Sequence, residues 1–435
     1  MITLLAALFI TAAQAQTAPL SATACGLMLK DRAQEHNLAP LDREAFLKSG
    51  IKFPAQIQLE MERDHEFLKG RSGQVRFIAP FRDDAFYDAL LARLGLRITM
   101  DEINRRWREP HRHFHTRDTH LNEVLNRIET EPGLDEEERD ELRVAALFYD
   151  IVYEPGAKDN EERSAELLSE ISPAGTEHEH LISNAVQIVL ETQDHFGNSR
   201  LSEHFQRFDT AILSRPYADL LEWEHSIFKE YQSEDWLTYR EKRIEFLRPH
   251  ARYNPAVTAL IEHLRRWQPR IAVFAGSFDP LHIGHYALII EAERHFDKVI
   301  VARGVNPTKP GPKQYSWDLA LTLPHHQTAE YKGFLTTYLR GLGYPVTLLR
   351  GIRNGHDMEA ERTQIALMRA QMPELRTMPI MADAAYDHIS SSAFRMLREI
   401  EDREGLPHGT SWDYLTLHDR LRLESAAAPP AIARP

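Results

Sequence analysis

The stretch GSFDPLHIGH, Gly276–His285, decides the fold. An apolar run, Ile271–Ala275, leads into it, and a segment with helical spacing follows. The chain turns here from a buried strand into a helix. Gly276 permits a tight turn and a close backbone approach to a ligand. His282 and His285 are three positions apart, so at a helix start they share one face. The helix start adds free N–H groups and the positive end of a dipole. Together these suit phosphate oxygens whose charge grows during a reaction. The plainer reading is packing alone, with Ile283 in the core and Gly284 easing helix–strand contact. The position at the carboxyl end of a strand favours a ligand.

Working outward, Ile271–Ala275, Lys298–Arg303, Val346–Arg350 and Arg376–Met381 read as strands. Helices are expected near Gly284–His295, Ala329–Leu342 and Met358–Ala370, with a last one from Ser391. This order predicts an α/β domain with a parallel sheet and crossover helices over 270–424. Arg97 to about Trp267 reads as helical, including Leu181–Thr192 and Tyr217–Phe246. Pro269 breaks that pattern, so the boundary is expected near Asn254–Arg270. Residues 27–96 carry no usable motif, and the Ala/Pro-rich 425–435 is expected to be disordered.

With 435 residues the chain has room for two or three domains, and 43% hydrophobic content supplies a core. The net charge of -13 argues against a nucleic-acid-binding surface. A single cysteine, Cys25, excludes internal disulfides and fits a reducing compartment. Residues 1–26 begin with an apolar leader, MITLLAALFITAAQAQ, with a signal-like Ala13-Gln14-Ala15. It has no Lys or Arg before the apolar run. It reads either as a signal peptide or as a leader on a cytoplasmic protein. A cytoplasmic location is the expectation, and no later stretch resembles a membrane span.

The opening stretch resembles the H/T-x-G-H signature of the nucleotidyltransferase superfamily. NPTKP, LLRGIRNGHDMEAE and HISSSAFR follow in the order found in pantetheine-phosphate adenylyltransferases. The resemblance implies a Rossmann-like domain moving AMP from ATP to a phosphorylated small-molecule acceptor, 4′-phosphopantetheine by preference. It implies Mg²⁺ with the ATP, and Gly276, Ser277 and Phe278 at the nucleotide. Ser277 would also contact the acceptor phosphate. His285 and His282 would stabilise the transferred phosphate, and Lys309 would bridge the two substrates. Arg350 would hold the acceptor phosphate and Leu335 its channel. Arg353, Asp357 and Glu361 would lie on the nucleotide side, with Ser390, Ser391 and Ser392 at the outer phosphates. One departure bears on the acceptor. His282 stands where this branch commonly has threonine, and adenylyltransferases of nicotinate or nicotinamide mononucleotide commonly have histidine.

The helical part holds His111, His113, His115 and His120 within ten positions, in REPHRHFHTRDTH. With FYDIVY, KDNEERSAEL and RFDTAIL, this resembles predicted metal-dependent phosphohydrolases of the HD superfamily. The resemblance implies an all-α HD-like domain over 97–267, with His115 or His120, Asp150 and Asp209 as ligands to a divalent metal. Tyr149 replaces the family's histidine, and Arg207 replaces the first acid of its D-x-D, where it would repel a cation. A degenerate domain that binds a nucleotide or supports the transferase is therefore the first reading. A phosphohydrolase and a non-catalytic nucleotide-binding regulator stay open, as does homo-oligomerisation. No nucleic-acid or membrane partner is expected.

Overall fold

The computed structural model describes residues 78–405 and 411, except 110, 174, 176, 194–196, 306–317, 354, 383–385 and 387. The leader 1–26, residues 27–77, Lys309 and the tail 425–435 lie outside the described residues.

The N-terminal part is helical: α1 Asp84–Arg93, α2 Met100–Arg106, α3 Asn122–Thr130, α4 Glu136–Phe148, α5 Asn160–Ile171, α6 Glu179–Glu191 and α7 Arg200–Asp209. Helix α1 thus lies inside the stretch 27–96 that had no assignable motif. Polar caps start several of these helices. Asp135 and Glu138 form a reciprocal capping box on α4, and Ser199 caps α7. A π-helical turn, Arg117–Leu121, precedes α3 and carries His120. Such turns often mark functional positions. The apolar faces of α1–α7 form one core around Trp107, Leu142, Phe148 and Phe205.

Next come α8 Tyr217–Glu230, α9 Trp236–Leu247 and α10 Pro255–Arg266. The helical stretch expected over Tyr217–Phe246 is made of two helices, because the chain breaks at 231–235 and Asp235 caps the second. Then follow β1 Ile271–Gly276, α11 Ile283–Glu293, β2 Lys298–Val305, the short α12 Leu319–Thr322, β3 Thr328–Lys332 and α13 Leu335–Gly341. The last elements are β4 Thr347–Ile352, α14 Gly355–Gln371, β5 Arg376–Met381 and α15 Ser391–Glu404.

The five strands form a parallel sheet in the order β3-β2-β1-β4-β5. The helix expected over Ala329–Leu342 needs correction. Its first part is the edge strand β3, paired with β2 from Val301↔Thr328 onward, and Gly333 at φ 82° turns the chain into α13.

Alternate residues of β1 face opposite ways. Ala272 and Phe274 join a core with Tyr286 and Ile289 of α11. Ile271, Val273 and Ala275 join a second core with Leu339 of α13 and with Phe228, Trp236 and Leu260 of α8–α10. One face of the sheet is thus walled partly by helices from the first part of the chain. Polar contacts fix this joint. Buried Lys298 donates through Nζ to the carbonyls of Gln232 and Glu234. The Gln327 N–H donates to the Gln232 carbonyl at 2.9 Å, and the Tyr344 hydroxyl to Asp235 Oδ2 at 2.7 Å.

Candidate functional site

The strand order reverses between β1 and β4, which makes a crevice at their carboxyl ends. Gly276 ends β1 there. A Cβ at this position would sit 2.9 Å from the Phe278 ring, so no larger residue fits without a shift. Phe278 is buried and takes a positive φ of 42°, unusual for a bulky residue. The fold holds this turn in a costly shape, which leaves Ser277 exposed at its tip.

His282 is the N-cap of α11 and His285 its third residue. The His282 N–H donates to His285 Nδ1 at 3.2 Å, and the His285 N–H donates to His282 Nδ1 at 3.3 Å. The rings stack at 3.6 Å. Each Nδ1 accepts, so each neutral ring carries its proton on Nε2. The result is a pair of neutral N–H donors side by side at a helix start. Burial, then the nearby Arg353, pushes His285 down to about 3. Burial, then His285 and Arg353, holds His282 well below its ordinary value.

This has a consequence for stability. The unfolded chain takes up protons at these positions below about pH 6.5. The folded chain does not until pH approaches about 3 at His285. The pair is therefore neutral to stability above that window and increasingly unfavourable as pH falls through it. At about pH 5 the expected penalty is about 2 kcal/mol for His285. Denaturant unfolding at about pH 7.5 and about pH 5 checks it: the wild type is expected to lose about 2 kcal/mol more than His285→Gln. Equal losses would mean that His285 protonates in the folded state.

Arg350, Arg353, Asp357, Glu361 and Ser390–Ser392 lie around the same end of the sheet. Arg350, at the end of β4, reaches the Ala275 carbonyl at 3.4 Å and makes a two-pronged ion pair with Glu361 of α14. Arg353 donates to Asp357 at 2.9 Å. Ser390 caps α15 by accepting from the Ala393 N–H at 3.0 Å. The Ser391 hydroxyl donates to the Pro280 carbonyl at 2.9 Å, docking α15 against the turn after β1. Ser392 is exposed, and its hydroxyl oxygen accepts from Arg395 at 3.1 Å. Leu335 is half-buried in the first turn of α13, against the core that holds Tyr331 and Tyr338.

A second constellation lies among the first helices. One ligand atom from each of His115, His120 and Asp150 lies within 4.8 Å of the others. Asp209, at the end of α7, places Oδ1 3.0 Å from His120 Nε2. The buried Arg112 draws two of these residues together. Its guanidinium donates to the carbonyls of Asp150 at 2.8 Å and His115 at 3.3 Å. Burial raises the Asp150 carboxyl above its ordinary value. Burial, then the Asp209 carboxylate, raises the Tyr149 phenol well above its own. Burial works against a charge on His115, but the carboxylates of Glu230, Asp150 and Asp209 together outweigh it and raise that imidazole.

Two expectations for this region change. The concern that Arg207 repels a cation does not hold, because its exposed guanidinium pairs with Glu131 and His204. His111 serves elsewhere: its Nε2 bonds to the Tyr153 carbonyl at 2.8 Å and its ring stacks on His325 at 4.2 Å. A cavity of about 320 Å³ opens beside the cluster, walled by Phe114, Trp223, Tyr231 and Phe246 and reaching His120 and Asp209. Sequence reasoning missed Arg112 and Glu230, both of which hold the histidine turn in place. A lone charged residue in a helical pattern carries no signal of such a role.

Comparison with known proteins bears on the second half of the chain. A cytidylyltransferase-like family model matches residues 273–316. A phosphopantetheine adenylyltransferase of Levilactobacillus brevis is 38% identical over 136 residues, which are 30% of this chain and 82% of that protein. The namesake from Leuconostoc mesenteroides is 38% identical over 136 residues, 30% of this chain and 81% of its own length. That from Rhodopirellula baltica is 30% identical over 141 residues, 31% of this chain and 78% of its own. Among the described residues, no helix is long and apolar enough to cross a membrane.

Proposed function

The chain belongs, through its C-terminal domain, to the phosphopantetheine adenylyltransferase family, and from that premise we propose that it moves AMP from ATP to 4′-phosphopantetheine. It is a nucleotidyltransferase. The finer reading gives dephospho-CoA and pyrophosphate. A phosphate oxygen of the acceptor attacks the α-phosphorus of ATP in line, and pyrophosphate leaves with the electrons of the broken P–O bond. The observation that carries this reading is the neutral His282–His285 pair, two Nε2–H donors at the carboxyl end of β1. Neutral donors stabilise the charge that grows on the transferring phosphate, and no base is needed because the nucleophile is already ionised.

In this reading Ser277 and Arg350 hold the acceptor phosphate, and Lys309 bridges it to ATP. Arg353, Asp357 and Glu361 serve the nucleotide side. The α15 start, with Ser390–Ser392, takes the outer phosphates, which arrive with Mg²⁺. Pyrophosphate release from ATP and Mg²⁺ tests the reading, with 4′-phosphopantetheine and nicotinate mononucleotide as parallel acceptors. Release is expected with the first alone. Release with the second alone would reassign the acceptor, and silence with both would sink the reading.

A second reading concerns the helices. The convergence of His115, His120, Asp150 and Asp209 supports a degenerate HD-like domain with a single divalent-metal site. His115, His120 and Asp150 come close enough for one such ion, with Asp209 beside His120, and the ion would supply a polarised water for phosphoester hydrolysis.

A further inference from the structure

Glu230 is the last residue of α8 and only 1% exposed. Its Oε1 accepts from the backbone N–H groups of His113, Phe114 and His115, at 2.6, 2.6 and 2.9 Å. Its Oε2 accepts from the Tyr153 hydroxyl at 2.8 Å and lies 2.7 Å from His115 Nδ1. With three backbone N–H groups and a phenol hydroxyl donating to it, this carboxyl group is an acceptor at both oxygens. An ionised carboxylate accepts hydrogen bonds and donates none. The proton of a neutral His115 therefore sits on Nδ1, and Nε2 is the nitrogen left to ligate.

Glu230 also sits where the two parts of the chain meet. The next residues, 231–235, supply the carbonyls of Gln232 and Glu234 to Lys298 and the carboxylate of Asp235 to Tyr344. The same helix end holds the histidine turn on one side and the transferase sheet on the other.

We propose that Glu230 is the positioning residue of a divalent-metal site built on His115, His120 and Asp150 with Asp209 beside it, fixing His115 with Nε2 toward the ion and tying that site to the helix that walls the transferase sheet. This rests on the second reading above. A carboxylate that orients a ligating histidine sets both its tautomer and its basicity, and its loss commonly weakens metal binding about 10- to 100-fold.

The experiment is a Co²⁺ titration of the full-length chain after chelator treatment, followed by calorimetry and by visible absorption. One Co²⁺ per chain is expected for the wild type. Glu230→Gln should bind about 10- to 100-fold more weakly, and Glu230→Asp should recover part of the loss. Should Glu230→Gln fail to fold, the wild type still gives an answer. Long-range proton–nitrogen spectra of histidine-labelled protein at alkaline pH, assigned with His115→Gln, should show the His115 proton on Nδ1. A proton on Nε2 overturns the proposal. Equal Co²⁺ affinity in wild type and a folded Glu230→Gln overturns the proposal alone. No Co²⁺ binding by the wild type overturns the metal reading and the proposal with it.

Discussion

Replacing His285 with alanine is expected to lower kcat for pyrophosphate release by about 100- to 1,000-fold, while the affinity for ATP changes little. The reason is the state in which the fold holds this ring. It is buried, neutral and fixed by a backbone donor at Nδ1, so Nε2–H is aimed without reorganisation. Such a donor gains most when charge on the phosphate is greatest, so its loss falls on turnover rather than on ground-state binding. His282 loses its stacking partner in the same variant, and the neighbouring donor is disturbed as well. Single-turnover rates and equilibrium ATP binding, measured side by side, decide the matter. An unchanged rate, or a loss confined to ATP affinity, would remove His285 from the chemistry.

A chain that begins at residue 270 is expected to be insoluble, or to lack a cooperative thermal transition, where the full chain melts cooperatively. Phe228, Trp236, Leu260 and Leu264 share one core with Val273, Ile300 and Leu348 of the sheet. Cutting at 270 bares that apolar face. It also strands the buried Lys298, whose ammonium donates to carbonyls of 231–235. The comparison sharpens the expectation. The 136 residues matched in the Levilactobacillus brevis relative are 82% of that protein, which leaves little length for a counterpart of α8–α10. Expression of 270–435, with circular dichroism melts and binding of a hydrophobic dye, checks the point. A soluble, cooperatively melting fragment with full ATP turnover would show the wall to be dispensable.

The strand-to-helix turn at Gly276–His285 was legible because its signals are local: an apolar run, a glycine and two histidines at helical spacing. Local signals also marked β2, β4 and β5. They failed at β3, where AEYKGFLTTYL reads as helical and only the pairing with β2 makes its first part a strand. The four candidate ligands His115, His120, Asp150 and Asp209 were readable by resemblance, but what fixes them was not. Glu230 lies 115 residues from His115, and no periodicity links a carboxylate to a turn at that distance. Arg207 shows the converse. Its position suggested a charge in the cluster, whereas a surface pair with Glu131 directs it elsewhere.

The pairs Arg350–Glu361 and Arg353–Asp357 give the transferase crevice its own resident anions. A phosphate that reaches either guanidinium displaces a carboxylate that stays tethered to α14, a short distance away. Arrival would then exchange one anionic partner of the arginine for another, and the resident carboxylates moderate the pull on distant phosphates. Departure is assisted in the same measure, because the displaced carboxylate returns without diffusing. A crevice built this way is expected to shorten the residence time of a phosphorylated product and to favour ligands whose several phosphates engage both arginines together.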